Sequence, residues 1–180
     1  REQRTKAKAV SFGIIYGQGA FGLSRSLGIR QREAADFIAA YKKRYPGVLA
    51  FIEECISRAE TTGKATTLLG RQRAIPEIQS RNRARRALGE RLAVNTVVQG
   101  TAADMIKVAM VRVHRRIRRE GLPARILIQV HDELVLEARR ECTDTAAAVV
   151  REEMEGAMPL KVPVRVDLGW GENWLEAKGD

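Results

Sequence analysis

Arg4, Lys8, Phe12 and Tyr16 recur at every fourth position near the start of the chain, and no other local feature restricts its structure so tightly. Read as a helix, that spacing puts all four on one slowly winding stripe. At the helical rise, Arg4 and Tyr16 stand roughly 18 Å apart, about the length of an extended triphosphate with its sugar and base. The order of side chains follows such a ligand. Two cations one turn apart suit adjacent phosphates, and two aromatic faces then suit sugar and base. Gly13 and Gly17 clear space beside the rings. Read alone, the segment is first an ordinary amphipathic helix with a solvated basic edge.

Charge points to the same kind of ligand. The chain carries 32 Lys+Arg against 22 Asp+Glu, a formal net charge of +10, which favours a polyanionic partner, nucleic acid before membrane. With 180 residues, 44% hydrophobic and 30% charged, it can bury a core of one or two domains. Cys55 and Cys142 lie far apart and without metal-ligand spacing, so they offer neither a disulfide framework nor a zinc site and fit a reducing cytoplasm. No apolar run reaches the roughly 18 residues of a membrane helix. The chain opens at Arg1 rather than Met, already in helical periodicity, which reads as a segment of something longer.

Downstream, Gln18–Gly22 breaks the first helix, and Leu23, Leu27 and Ile29 give a short second one that turns at Gly28. Ala35, Phe37, Ile38, Tyr41 and Tyr45 predict a helix from Gln31 that stops at Pro46. Val48, Phe51, Ile52, Cys55, Ile56 and Ala59 predict another, ending at Thr62-Gly63, and these apolar positions are expected in the core. Lys64 to Pro76 reads as two short strands around Gly70, a ribbon with Arg71 and Arg73 near its tip, suited to a duplex backbone or to solvent. Five arginines between Arg81 and Arg91 must face solvent or phosphate.

Arg91, Asn95 and Gln99 share one helix face over about 12 Å. Purine N3 and pyrimidine O2 accept hydrogen bonds in the minor groove of every base pair, so donors there test pair geometry without reading sequence. Thr101 and Asp104 have capping-box spacing and predict a fresh helix, with Met105, Val108, Ala109, Val111, Val113 and Ile117 inward and a solvated end rich in arginine that includes His114. Arg125–Val130 and Leu134–Leu136 predict a hairpin that exposes His131, Asp132 and Glu133. Alone, that triplet is a polar turn. A helix from Thr143 to Met158 with Ala147, Val150, Met154 and Ala157 inward, ended by Pro159, and a strand over Val162–Leu168 complete the pattern, with Trp170 and Trp174 as packing residues.

Three runs occur together in one order: Arg4-x3-Lys8-x3-Phe12-Gly13-x2-Tyr16-Gly17, then Arg91-x3-Asn95-x3-Gln99-Gly100-Thr101-Ala102-Ala103-Asp104, then Gln129-Val130-His131-Asp132-Glu133. Together they resemble family A DNA polymerases, the DNA polymerase I type, from Arg1 to about Lys178. The resemblance implies an α+β fold, with a helical fingers region over 1–80 and a palm portion over 81–180 that carries a small antiparallel β-sheet. It implies template-directed nucleotidyl transfer from a dNTP to a primer 3′ hydroxyl, in replication or repair, with two Mg²⁺ ions. Arg4 and Lys8 would hold the phosphates, Phe12 the sugar and base, and Tyr16 the template side of the pair. Arg71, Arg73, Arg91, Asn95, Gln99 and His131 would contact primer-template DNA. Asp132 and Glu133 would be catalytic and metal-binding, with Lys8 counted among the catalytic groups. A cytoplasmic, nucleoid-associated protein follows.

One departure stands out. The family's two metal ions are bridged by two aspartates from separate motifs, and the earlier motif is not in this sequence. The expected partner is therefore the N-terminal part of a polymerase, in the same chain or a separate one, without which the chain is expected to be inactive. The competing reading is a non-catalytic basic module that binds primer-template or other duplex DNA.

Overall fold

The computed structural model describes residues 2–178, less the side chains of Glu2, Gln3, Thr5, Lys6 and Ala9. Arg1, where the resemblance begins, lies outside the described residues. The elements are α1 (Glu2–Ile15), α2 (Ala20–Leu27), α3 (Gln31–Arg44), α4 (Pro46–Thr62), β1 (Lys64–Thr66), β2 (Gln72–Ala74), α5 (Arg83–Glu120), β3 (Ala124–Val130), β4 (Glu133–Ala138), α6 (Thr143–Glu155) and α7 (Trp174–Lys178). Helices with two antiparallel two-stranded ribbons, β1-β2 and β3-β4, make the expected α+β fold. The chain forms two compact units that divide between Thr101 and Ala102.

In the first unit the predicted punctuation holds. α2 ends at Gly28 (φ 66°), α4 begins with Pro46 at its first turn and ends at Gly63 (φ 70°), and the β1-β2 turn runs through Gly70 (φ 87°). Each is a left-handed position or helix start that glycine or proline takes at low cost. The core joins Ala59 of α4, Ala65 of β1, Ile75 and Ile78 of the following 3₁₀ turn and Ala93 of α5, with Ile56, Leu92 and Val97 against it. Asn82 caps α5, its Oδ1 accepting the amides of Ala84 (3.0 Å) and Arg85 (3.1 Å). Gly89 lets α5 press against the turn at Glu77-Ile78, where a methyl would stand 2.6 Å from the Ile78 nitrogen. Several positions expected in the core are exposed, among them Ala35, Phe37, Tyr45 and Phe51.

In the second unit Val113, Ile117, Val149 and Val150 form the core, closed by Leu122, Ala124, Ile126, Leu136, Met154 and Leu168. Five expectations fail here or at its border. No helix starts at Thr101: α5 runs unbroken for 38 residues, and the Thr101 hydroxyl accepts the Leu68 amide at 3.1 Å instead of capping. Val111 is exposed. Arg116 is not simply solvated, since it pairs with Glu120 (2.9 Å), Glu152 and Glu153, tying α5 to α6. These contacts raise the pKa of Arg116, the Glu152 hydrogen bond contributing most, and the Arg116 hydrogen bond lowers that of Glu120. α6 ends at Glu155, four residues before Pro159. Val162–Leu168 keeps the alternation of burial but joins no ladder. Pro163 has no N–H to give, and the Val166 amide donates to the Glu155 carboxylate at 3.0 Å.

Candidate nucleotide and primer-template site

α1 presents the expected stripe as a physical ladder. Lys8 Nζ lies 5.6 Å from the Phe12 ring centroid, and the Phe12 and Tyr16 rings stack with centroids 6.0 Å apart at 18°. Arg4 and Lys8 are exposed, Phe12 keeps 47% of its surface open, and Tyr16 is half-buried, while Ile14 is buried on another side of the helix. The exposed part of the Phe12 ring is what a base or sugar could cover. The helix ends in a Schellman arrangement: Gly17 (φ 75°) donates to the Ile14 carbonyl at 3.0 Å and Gln18 to that of Gly13 at 2.7 Å. That ending places Tyr16 as the last residue of the ladder, beside the turn.

The turn brings two of the sequence constellations together. A methyl at Gly17 would stand 2.9 Å from Cγ of Arg91, so the aliphatic stem of Arg91 on α5 runs against the end of α1. Along the same face, Asn95 has a buried Oδ1 with no hydrogen-bond partner. Gln99 is exposed one turn further on. The Asn95 amide carries N–H donors, the polarity a minor-groove contact needs.

The β1-β2 ribbon differs from the expected basic-tipped finger. Its exposed tip is Leu68-Leu69, while the arginines fold back on α5: Arg71 donates to the Gly100 carbonyl at 3.0 Å and Arg73 to the Thr96 hydroxyl at 3.5 Å. A methyl at Gly100 would come within 2.7 Å of Thr67 Cγ2, so the mid-helix glycine is what admits the ribbon. Arg71 and Arg73 thereby join the stretch that holds Asn95 and Gln99. The side-chain partners on α5 that draw them there were not legible in the sequence.

In the second unit, the pair Val130–Glu133 closes a two-residue turn, His131-Asp132, so Glu133 is the first strand residue rather than part of the turn. His131 has φ 54°, a left-handed conformation uncommon outside glycine. The Gln129 side-chain amide donates to the His131 carbonyl across the turn. His131, Asp132 and Glu133 are all exposed. The Glu133 carboxylate meets Lys178 of α7 at 3.4 Å, and Lys178 in turn lies 5.4 Å from the Trp174 ring centroid. Trp170 and Trp174 are exposed rather than packed. They line a cleft of about 840 Å³ beside β4, together with Asp132, Leu136, Val150 and Leu168. Among the described residues no three His, Cys, Asp or Glu side chains converge on a metal position. One exposed aspartate and a glutamate shared with a lysine do not by themselves make a centre for a divalent ion.

Comparison with known proteins agrees with this reading. The family model for DNA polymerase family A matches residues 1–176. DNA polymerase I of Bacillus caldotenax is 47% identical over 175 residues, 97% of this chain and 20% of the relative. DNA polymerase I of Pseudomonas aeruginosa is 47% identical over 176 residues, 98% of this chain and 19% of the relative. Among solved structures, the polymerase domain of Pol1 from M. smegmatis, in complex with DNA primer-template and dNTP, superposes with a TM-score of 0.95 at 42% identity, covering 99% of this chain and 31% of that one. The chain belongs to DNA polymerase family A. It spans about a fifth of the length of the curated relatives it matches.

Proposed function

We propose that the chain is the nucleotide- and primer-handling portion of a DNA-directed DNA polymerase, which transfers a deoxynucleoside monophosphate from a dNTP to a primer 3′ hydroxyl, with release of pyrophosphate, in replication or repair. The observation that carries this reading is the Lys8–Phe12–Tyr16 ladder ending against Arg91, the first of the three polar residues on α5. Arg4 and Lys8 hold the phosphates, Phe12 covers the sugar and base, and Tyr16 stands on the template side of the pair. Arg91, Asn95 and Gln99 follow the minor groove behind the new pair, Arg71 and Arg73 meet the duplex backbone, and His131 stands near the primer terminus. In functional terms 1–80 serve as fingers and 81–180 as palm.

Asp132, with Glu133 beside it, is one side of the metal-binding set, and the remaining ligands lie outside these residues. Two Mg²⁺ ions, when bound, supply activation of the hydroxyl and neutralise the leaving charge. Location in the cytoplasm, with the nucleoid, belongs to the same proposal. It is supported by the two free cysteines. Among the described residues no helix is long and apolar enough to cross a membrane.

The test is primer extension with Mg²⁺ and four deoxynucleotides, by the chain alone and by a chimera in which it replaces the matching stretch of a DNA polymerase I relative. The chain alone should yield no product and the chimera should extend. Extension by the chain alone would refute the incomplete metal site, and a chimera that binds duplex without extending it would favour the non-catalytic binding module.

A further inference from the structure

The junction between α1 and α2 contains a side chain to which the nucleotide reading gives no role. Gln18 follows the left-handed Gly17 and folds back into a slot walled by two glycines, Gly13 on α1 and Gly22 on α2. A methyl at Gly13 would collide with its Oε1, and a methyl at Gly22 would stand 2.8 Å from its Cγ and 3.2 Å from its Nε2. A methyl at Gly13 would also stand 3.5 Å from Cδ1 of Leu23, a fully buried residue of α2. In a Schellman ending this position normally carries an apolar contact between the residue after the glycine and the last turn; here a polar side chain of matching length fills the place.

We propose that Gln18 is a positioning residue for the incoming nucleotide: wedged between Gly13 and Gly22, it fixes the angle at which α1 leaves the Gly17 turn and so the direction of the Lys8–Phe12–Tyr16 ladder. Gly17 leaves the backbone free to rotate, and the Arg91 stem supports one side of the turn. Gln18 lies between α1 and α2, against Gly13 on one side and Gly22 on the other. Removing it leaves two glycines facing an empty slot and lets α1 pivot. Because the ladder touches substrate along three turns, a small change at its root is magnified toward Lys8 and Arg4, where the phosphates sit. The proposal rests on the nucleotide reading of α1.

The experiment uses the chimera and reads dNTP KM, kcat, primer-template affinity and melting temperature. Gln18→Ala should raise dNTP KM by about three- to tenfold, with primer-template affinity and melting temperature near the parent. Gln18→Met, which fills the slot without the carboxamide, should keep the parental KM. Gly13→Ala should raise KM by expelling Gln18, yet add nothing in a Gln18→Ala background, since the clash is gone. If Gln18→Ala does not fold, Gln18→Asn, one methylene shorter, takes its place with the same expected rise. A parental KM in the alanine or asparagine variant, or an additive Gly13→Ala effect, would overturn the proposal. Phe12→Ala and Lys8→Ala run in parallel: if they too leave dNTP KM unchanged, the nucleotide reading itself fails, and if they raise it while Gln18 variants do not, only the wedge fails.

Discussion

Gly89→Ala sets two helix effects against each other, and the structure decides which prevails. In the interior of α5 alanine is favoured over glycine by about 1 kcal/mol. Here, however, the added methyl would stand 2.6 Å from the Ile78 nitrogen, 2.8 Å from the Glu77 carbonyl carbon and 2.8 Å from the Ile78 Cα. Carbon–carbon contacts settle near 3.5–4.0 Å, so the turn must retreat by roughly 1 Å. All three atoms are backbone, and the Ile78 side chain is buried in the first core, so no rotamer change relieves the clash. Overpacking of this kind costs about 1–3 kcal/mol, which leaves a net loss of about 0–2 kcal/mol after the propensity gain. Gly47→Ala in α4, where nothing lies within 4 Å of the new methyl, should instead stabilise by about 0.5–1 kcal/mol. Urea unfolding of the chain followed by far-ultraviolet circular dichroism reads both, as opposite shifts in midpoint at constant slope. If Gly89→Ala proved as stabilising as Gly47→Ala, the close approach of the 3₁₀ turn to α5 would be wrong, and with it the docking of the β1-β2 ribbon that brings Arg71 and Arg73 to the polar face.

Three further outcomes are expected. In the chimera, if Phe12 covers the sugar as proposed, Phe12→Tyr adds a hydroxyl there and should weaken discrimination against dideoxynucleotides; an unchanged ratio of incorporation efficiencies would move Phe12 away from the sugar. Arg91→Ala should weaken primer-template binding and lower the salt slope by about one if it meets phosphate, or leave the slope unchanged if it meets only bases; parental affinity across a salt series would remove it from the interface. Glu120 has its pKa lowered by Arg116 from an ordinary value of 4.5, so the stability it contributes is present above that value and is lost as pH falls through the lowered pKa. Melting temperatures below pH 4.5 should therefore fall less steeply in Arg116→Leu than in the parent, and equal slopes would show that the cluster carries no linkage.

Much of the fold was legible because its signals are local. The period of four in α1, the stop at Pro46 and the left-handed glycines at 28, 63 and 70 each fix backbone at one place in the sequence. Thr101-Asp104 misled because capping-box spacing says nothing about where the hydroxyl points: it accepts the Leu68 amide and does not cap the start of a helix. Gly100, costly in a helix by itself, is offset by the ribbon it admits, a tertiary fact invisible in a window of residues. Val162–Leu168 alternates as a strand does, but alternation reports burial and not a partner. In the site, residue types and spacing revealed the ladder and the polar face, whereas the wedge of Gln18, the buried Oδ1 of Asn95 and the Lys178–Glu133 pair depend on elements distant in sequence or on rotamers that no spacing encodes.

The most direct measurement is single-turnover primer extension by the Asp132→Asn chimera alongside its duplex affinity. Asparagine keeps the shape of the side chain and removes the negative charge a divalent ion requires. The chemical step should slow by at least roughly 1000-fold, about 4 kcal/mol of transition-state stabilisation, while primer-template affinity holds or rises because a charge that repels phosphate has gone. Turnover at the parental rate would make the exposed hairpin a polar turn and nothing more, and would leave the chain a DNA-binding module without a part in the chemistry.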